Sequence, residues 1–212
     1  MEDILSKLDV NKRNRIINSA LEEFSKNGYQ NTSTNAIVKK AEISKGLLFH
    51  YFGNKKELYN SLEKFVITTI KNSIVNQLNW EETDFFNRIQ EVTNIKMALT
   101  IEYPYIYEFA TEMFKDKSAE DMREKTNEEF GDLVQKIYTH NISYDKFKEG
   151  LDMKKTMDII KWSIEKLGDT LWQKVLLNDS TLDVKALEEE SNGYFEALRK
   201  AFYKEDMEGQ ND

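Results

Sequence analysis

Hydrophobic positions recur at helical spacing almost from the start of the chain. Over 11–27, Ile17, Leu21 and Phe24 fall at i, i+4 and i+7, with Ile16 and Ala20 beside them on one stripe. Gly28 follows where a helix C-terminal glycine is preferred, and Tyr29-Gln30-Asn31-Thr32 reads as a short polar link. Ser33 predicts the N-cap of a second helix over 34–41, with Ile37, Val38 and Ala41 facing inward. Its capping box is incomplete, because Ala36 stands where a Glu or Gln would be. Glu42-Ile43-Ser44 is a tight connection, Ser44 caps a third short helix over 45–51, and Gly53-Asn54 ends it. A long helix follows over 55–78, its Leu58, Leu62, Phe65, Val66, Ile70 and Ile74 keeping the helical period. Further helices are expected at about 84–101, 104–114, 119–139, 154–177 and 182–203. Pro104 suits a helix start, where its missing N–H costs nothing, and it biases Tyr103 away from helical angles. The stretch 145–152, containing Gly150, reads as a connector with a single helical turn. Strand-like alternation is scarce, and one proline and eight glycines in 212 residues leave few breakers. The pattern predicts an all-α chain.

Composition narrows the class. With 40 % hydrophobic and 32 % charged residues, the chain can bury a core and is not of disordered type. No apolar run approaches the roughly 18 residues of a membrane span. Met1-Glu2-Asp3 lacks the basic-then-apolar order of a secretory signal, so the expected location is cytoplasmic. The absence of cysteine excludes disulfides, thiol catalysis and cysteine-held metals.

Charge is distributed unevenly. The net charge is −8, yet residues 11–56 carry nine Lys and Arg against Glu22, Glu23 and Glu42, a net of +6, so the rest carries −14. A basic amino-terminal unit joined to an acidic body points to a polyanion partner. Three short helices with a tight turn between the second and third make a helix-turn-helix unit. The amino end of a short helix carries free N–H groups and partial positive charge, and it fits a major groove about 12 Å wide. Ser44, Lys45 and Gly46 stand at that end: a cap, a cationic donor, and a residue without bulk. His50 and Tyr51 lie at the far end with polar handles for phosphate, and Ser33 and Thr34 open the preceding helix where they can grip a neighbouring phosphate.

These residues carry a resemblance. Thr32-Ser33, Ile37, the run Ala41-Glu42-Ile43-Ser44-Lys45-Gly46-Leu47-Leu48-Phe49-His50-Tyr51-Phe52, and Asn54-Lys55-Lys56-Glu57-Leu58 closely resemble the DNA-binding region of the TetR family of bacterial repressors. Ala20-Leu21-Glu22-Glu23-Phe24 and Gly28-Tyr29 match that family as well, so the resemblance covers roughly residues 11–60. It implies a helix-turn-helix DNA-binding domain over 1–54 and a larger helical ligand-binding and dimerisation domain over 55–212. It also implies a homodimer on a palindromic DNA operator, released by a small-molecule inducer, and adds Lys55 as a phosphate contact. Three positions depart from the pattern. Glu42 replaces a frequent turn glycine, so the turn is expected to do without a left-handed glycine there. Phe49 stands where a phosphate-binding tyrosine is usual, and Tyr51 where a histidine is common.

In the body, segment 80–114 is rich in aromatics. Phe86, Met97, Tyr103, Tyr107 and Phe114 are the candidate inducer contacts, on analogy with the family pocket, for an aromatic or cationic ligand. Glu102, Glu108 and Glu112 among them favour the cationic case. Residue by residue, the same aromatics also read as ordinary core. The helices at about 154–177 and 182–203 are the expected homodimer elements. The first carries the stripe Ile160, Ser163, Ile164, Leu167, Gly168, Leu171 and Trp172, the second Leu187, Tyr194, Leu198 and Phe202. An enzyme finds no support: His50 and His140 are isolated, and there is neither a glycine-rich phosphate loop nor a Gly-x-Ser-x-Gly. No cofactor is implied. The rival reading is a helical ligand- or protein-binding module that no longer binds DNA.

Overall fold

A computed structural model describes residues 9–115, 118–177 and 184–205. Among them the chain is helical: α1 (Val10–Asn31), α2 (Thr34–Lys40), α3 (Lys45–Phe52), α4 (Lys55–Gln77), α5 (Phe85–Glu102), α6 (Ile106–Glu112), α7 (Ala119–Thr139), α8 (Met153–Leu177) and α9 (Val184–Phe202). No helix among the described residues is long and apolar enough to cross a membrane. The expected start of the last helix near 182 and the Trp172 side chain fall outside the described set.

The caps set the helix starts. Ser33 Oγ accepts from the Ala36 N–H at 3.4 Å, Ser44 Oγ from Leu47 at 3.1 Å, and Asn54 Oδ1 from Glu57 at 3.0 Å. Each satisfies an orphan donor of a first turn. Gly28 takes φ +67°, and the Thr32 hydroxyl donates to its carbonyl oxygen at 2.7 Å, so the polar link is wound back onto the end of α1. Pro104 lies before α6 rather than in its first turn; the helix begins two residues later, at Ile106. The connector 145–152 holds no helical turn. Within it Phe147 pairs with Tyr203, and just before it Ser143 pairs with Asp84, as isolated bridges.

The chain forms two compact units, one of residues up to Leu78 with Ile95–Lys136, the other of Asn79–Asn94 with the residues from Ile137 onward. In the first, Ile16, Ile17, Ala20, Leu21 and Phe24 of α1 are fully buried, as are Ile37, Leu48 and Leu58. Each large side chain among them contributes about 1.5–3 kcal/mol by leaving water. Helix α6 runs beside α1: the ring centroids of Phe24 and Phe109 are 6.2 Å apart, and a Cβ on Gly28 would stand 2.8 Å from Glu112 Oε1. The second unit is built on Phe85, Phe86, Phe147 and Tyr203, whose rings meet mostly edge to face.

Candidate nucleic-acid interface

Helices α2 and α3 are joined by Ala41 to Ser44. The turn closes with Ile43 N–H donating to Val38 O at 3.0 Å, and Glu42 takes φ +55°. The turn therefore keeps the left-handed conformation, with a glutamate rather than a glycine supplying it. A glutamate holds that conformation at a steric cost that a glycine would not bear.

On α3, Leu48 and Phe52 point into the core and anchor the helix. Ser44, Lys45, Gly46 and His50 are exposed, and Tyr51 is half-buried. The Lys45 ammonium sits 5.8 Å from the Phe49 ring centroid, one helical turn on. A Cβ on Gly46 would meet nothing nearer than Ser44 Oγ at 4.0 Å, so the fold itself leaves room for a side chain there. Ser33 is exposed and Thr34 half-buried at the start of α2.

The basic residues divide into two groups. Lys40 pairs with Glu22 at 3.0 Å and with the nearly buried Glu23 at 2.9 Å, fixing the end of α2 to α1. Arg15 Nε reaches Ala41 O at 3.4 Å, and Lys26 pairs with Glu22 at 2.8 Å while lying over the Tyr105 ring. Burial raises the Glu22 pKa, but hydrogen bonds from Lys26 and Lys40 outweigh it and hold the carboxyl below its ordinary value. Lys55 donates to Gln30 O at 3.1 Å beneath the Tyr29 ring, so it also braces the end of α1. Lys39, Lys45 and Lys56 face outward. The bracing role of Arg15 and Lys40 escapes sequence reasoning, because neighbours across two helices leave no local signature.

The body candidates separate as well. Met97, Tyr103, Tyr107 and Phe114 lie in the first unit, whereas Phe86 belongs to the second, enclosed by Phe85, Phe147 and Tyr203. Tyr103 is buried against Phe65 of α4 at 5.1 Å, and burial, with Glu102 beside it, pushes its pKa up to about 12. The Tyr107 hydroxyl is shielded from solvent and has no hydrogen-bond partner, and burial raises its pKa. Of the three acids, Glu102 is held by Asn14 and Asn18, and Glu112 pairs with Lys115 at 3.3 Å; Glu108 has one carboxylate oxygen withdrawn from solvent.

The expected dimer stripe also divides. On α8, Ile160, Leu167 and Leu171 are buried in their own unit, Ile164 is half-buried, and Ser163 and Gly168 are exposed; on α9, Leu187, Leu198 and Phe202 are half-buried and Tyr194 is exposed. Outside that stripe, Ile159 and Trp162 of α8 are exposed and Phe195 of α9 is buried.

Comparison with known proteins places this geometry. The family model for bacterial regulatory proteins of the tetR family matches residues 16–62. The HTH-type transcriptional regulator QacR of Staphylococcus aureus is 33 % identical over 141 residues, 61 % of this chain and 70 % of that protein. The fatty acid metabolism regulator protein of Bacillus subtilis is 24 % identical over 192 residues, 87 % of this chain and 92 % of that one. The crystal structure of a TetR family transcriptional regulator from Chloroflexus aurantiacus superposes with a TM-score of 0.61 at 20 % identity, covering 95 % of this chain and 98 % of the other.

Proposed function

The chain belongs to the TetR family of bacterial regulatory proteins and is a DNA-binding transcriptional regulator rather than an enzyme; we propose that it holds a palindromic operator as a homodimer until a small molecule enters its helical body. The observation that carries the reading is the exposed amino end of α3. Gly46 sits there with no internal contact that demands a glycine, beside an outward lysine. A base edge approaching the backbone supplies the missing reason.

In this reading residues 1–54 are the DNA-reading domain and 55–212 the body, in the cytoplasm. Lys45 and Gly46 meet base edges in the major groove. Ser33, Thr34, Ser44, His50, Tyr51 and Lys55 meet phosphates on either side. Two readers enter successive grooves about 34–36 Å apart. The dimer forms through α8 and α9, on the faces that carry the exposed Ile159, Trp162 and Tyr194. Large exposed apolar side chains on adjacent helices of one unit support that choice.

The inducer is aromatic or cationic and is met by Met97, Tyr103, Tyr107 and Phe114. The unpartnered Tyr107 hydroxyl supports this, since a buried phenol without a partner gains most from a ligand that supplies one. Helix α6 packs on α1 and on α4, and α4 packs in turn on α3, so a ligand at Tyr107 reaches the reader through α4. The ligand acts by preferring the arrangement in which the two readers no longer match the operator.

Selection of bound fragments from random duplex DNA tests the reading. Enrichment of an inverted repeat is the expected result; no enrichment favours a ligand- or protein-binding module without DNA.

A further inference from the structure

We propose that Asp84 is the positioning residue for α9, and that its carboxylate sets the strength of the dimer. The proposal rests on the α8–α9 interface reading above.

Asp84 precedes α5, and its side chain is 5 % exposed. Four donors converge on it from three separate pieces of chain. The Asn87 N–H of the first turn of α5 reaches Oδ1 at 2.9 Å. Arg199 Nη1 and the Tyr203 hydroxyl, both from the end of α9, reach Oδ1 at 3.1 and 3.3 Å. Lys146, from the connector, reaches Oδ2 at 2.8 Å. The same connector grips the carboxyl end of α9: Lys148 N–H donates to Phe202 O at 2.9 Å and Lys204 N–H to Lys146 O at 2.8 Å. The Lys148 ammonium covers the carbonyls of Lys200 and Ala201. A helix end and a connector are thus keyed to a single anion.

The register of α9 shows what the key controls. Ser191, Phe195, Arg199 and Tyr203 follow each other at i+4. The first two are buried to 1 %, and the last two end on Asp84. This row fixes the rotation of α9 about its axis. Tyr194, next to Phe195 and 51 % exposed, is presented outward only while that rotation holds. Without the aspartate charge, the Arg199 guanidinium over the Phe86 and Tyr203 rings keeps, among the described residues, the Asn87 side chain and the exposed Glu196 as partners. A half-buried cation in that position is costly, and the helix end turns outward to hydrate it.

The test uses the full chain. Asp84→Asn keeps an N-cap for α5 and the side-chain shape but removes the charge. The expected result in sedimentation over a dilution series is a dimer dissociation constant raised about tenfold or more. Amide exchange should quicken at 199–203 and 146–148 and stay unchanged over 10–77. If Asp84→Asn does not fold, Arg199→Gln spares the cap and the Lys146 pair, and the same two readouts apply. A wild-type dissociation constant overturns the proposal, and so does a weakened dimer with unchanged exchange at 199–203. Trp162→Arg is the control for the interface: if it leaves the dimer intact, the α8–α9 reading fails, whatever Asp84 does.

Discussion

The Lys45 ammonium lies 5.8 Å from the centroid of the Phe49 ring, one turn along α3, and the two share the exposed side of the reader. A cation resting on a ring face is placed without being neutralised. Lys45→Ala is expected to weaken operator binding about tenfold and to reduce the salt slope of log K by about one. The melting temperature should stay within about a degree, since the side chain is exposed. Fluorescence anisotropy at three salt concentrations measures both quantities, and an unchanged slope removes Lys45 from the interface.

Phe49→Tyr separates packing from contact. The added hydroxyl would reach a phosphate without adding charge, so affinity should rise several-fold while the salt slope stays the same. Weaker binding would place Phe49 against a base rather than the backbone.

Glu42 is held at φ +55° in the turn before α3. Glu42→Gly relieves a left-handed side chain and removes a negative charge near the reader. Stability to urea should increase by about 1 kcal/mol, and operator affinity should increase with it. A loss of stability would mean that the glutamate contributes more through its side chain than its backbone costs.

Lys39 and Lys40 are neighbours with different duties. Lys40→Ala leaves the nearly buried Glu23 without its cation, at an expected cost of about 1–2 kcal/mol, and should leave the salt slope alone. Lys39→Ala should leave stability unchanged. Paired urea titrations distinguish them, and equal stabilities would show that the Glu22–Glu23–Lys40 cluster adds nothing.

Acid sensitivity follows from Asp84. Burial raises its pKa, but hydrogen bonds from Lys146 and from the Asn87 N–H, with the charges of Arg199 and Lys146, more than offset this and hold it below the ordinary value. The unfolded chain then binds the proton more readily. The stabilisation is complete above the unfolded aspartate pKa of about 3.9 and disappears as pH falls through the lowered folded value. Asp84→Asn should flatten the part of the melting profile that falls away below about pH 5. An unchanged acid limb would assign it to other carboxylates.

Much of this was legible locally. The caps Ser33 and Ser44 mark helix starts within the four residues that use them, and the period of Leu58, Leu62, Val66, Ile70 and Ile74 gives the buried face of α4 directly; Asn54 reads in sequence only as a breaker, although it also caps α4. What escaped is long-range. Lys146 and Arg199 meet Asp84 across 62 and 115 residues, and nothing in the periodicity of either segment announces the meeting. The stretch 145–152 is the connector its composition suggests, but it lacks the expected helical turn, since its order comes from pairing with distant backbone. Phe86 and Tyr107 look alike in sequence; only packing shows one ring fully enclosed and the other ending in a hydroxyl without a partner.

Gly28 combines a positive φ with a carboxylate oxygen 2.8 Å from where its side chain would begin. Any larger residue there has to clear Glu112 as well as adopt an unfavourable backbone. In a chimera, an imported head that brings its own glycine to this place would seat on α6 as this one does, whereas a bulkier residue would bear a strained backbone while the flexible Glu112 carboxylate swings aside.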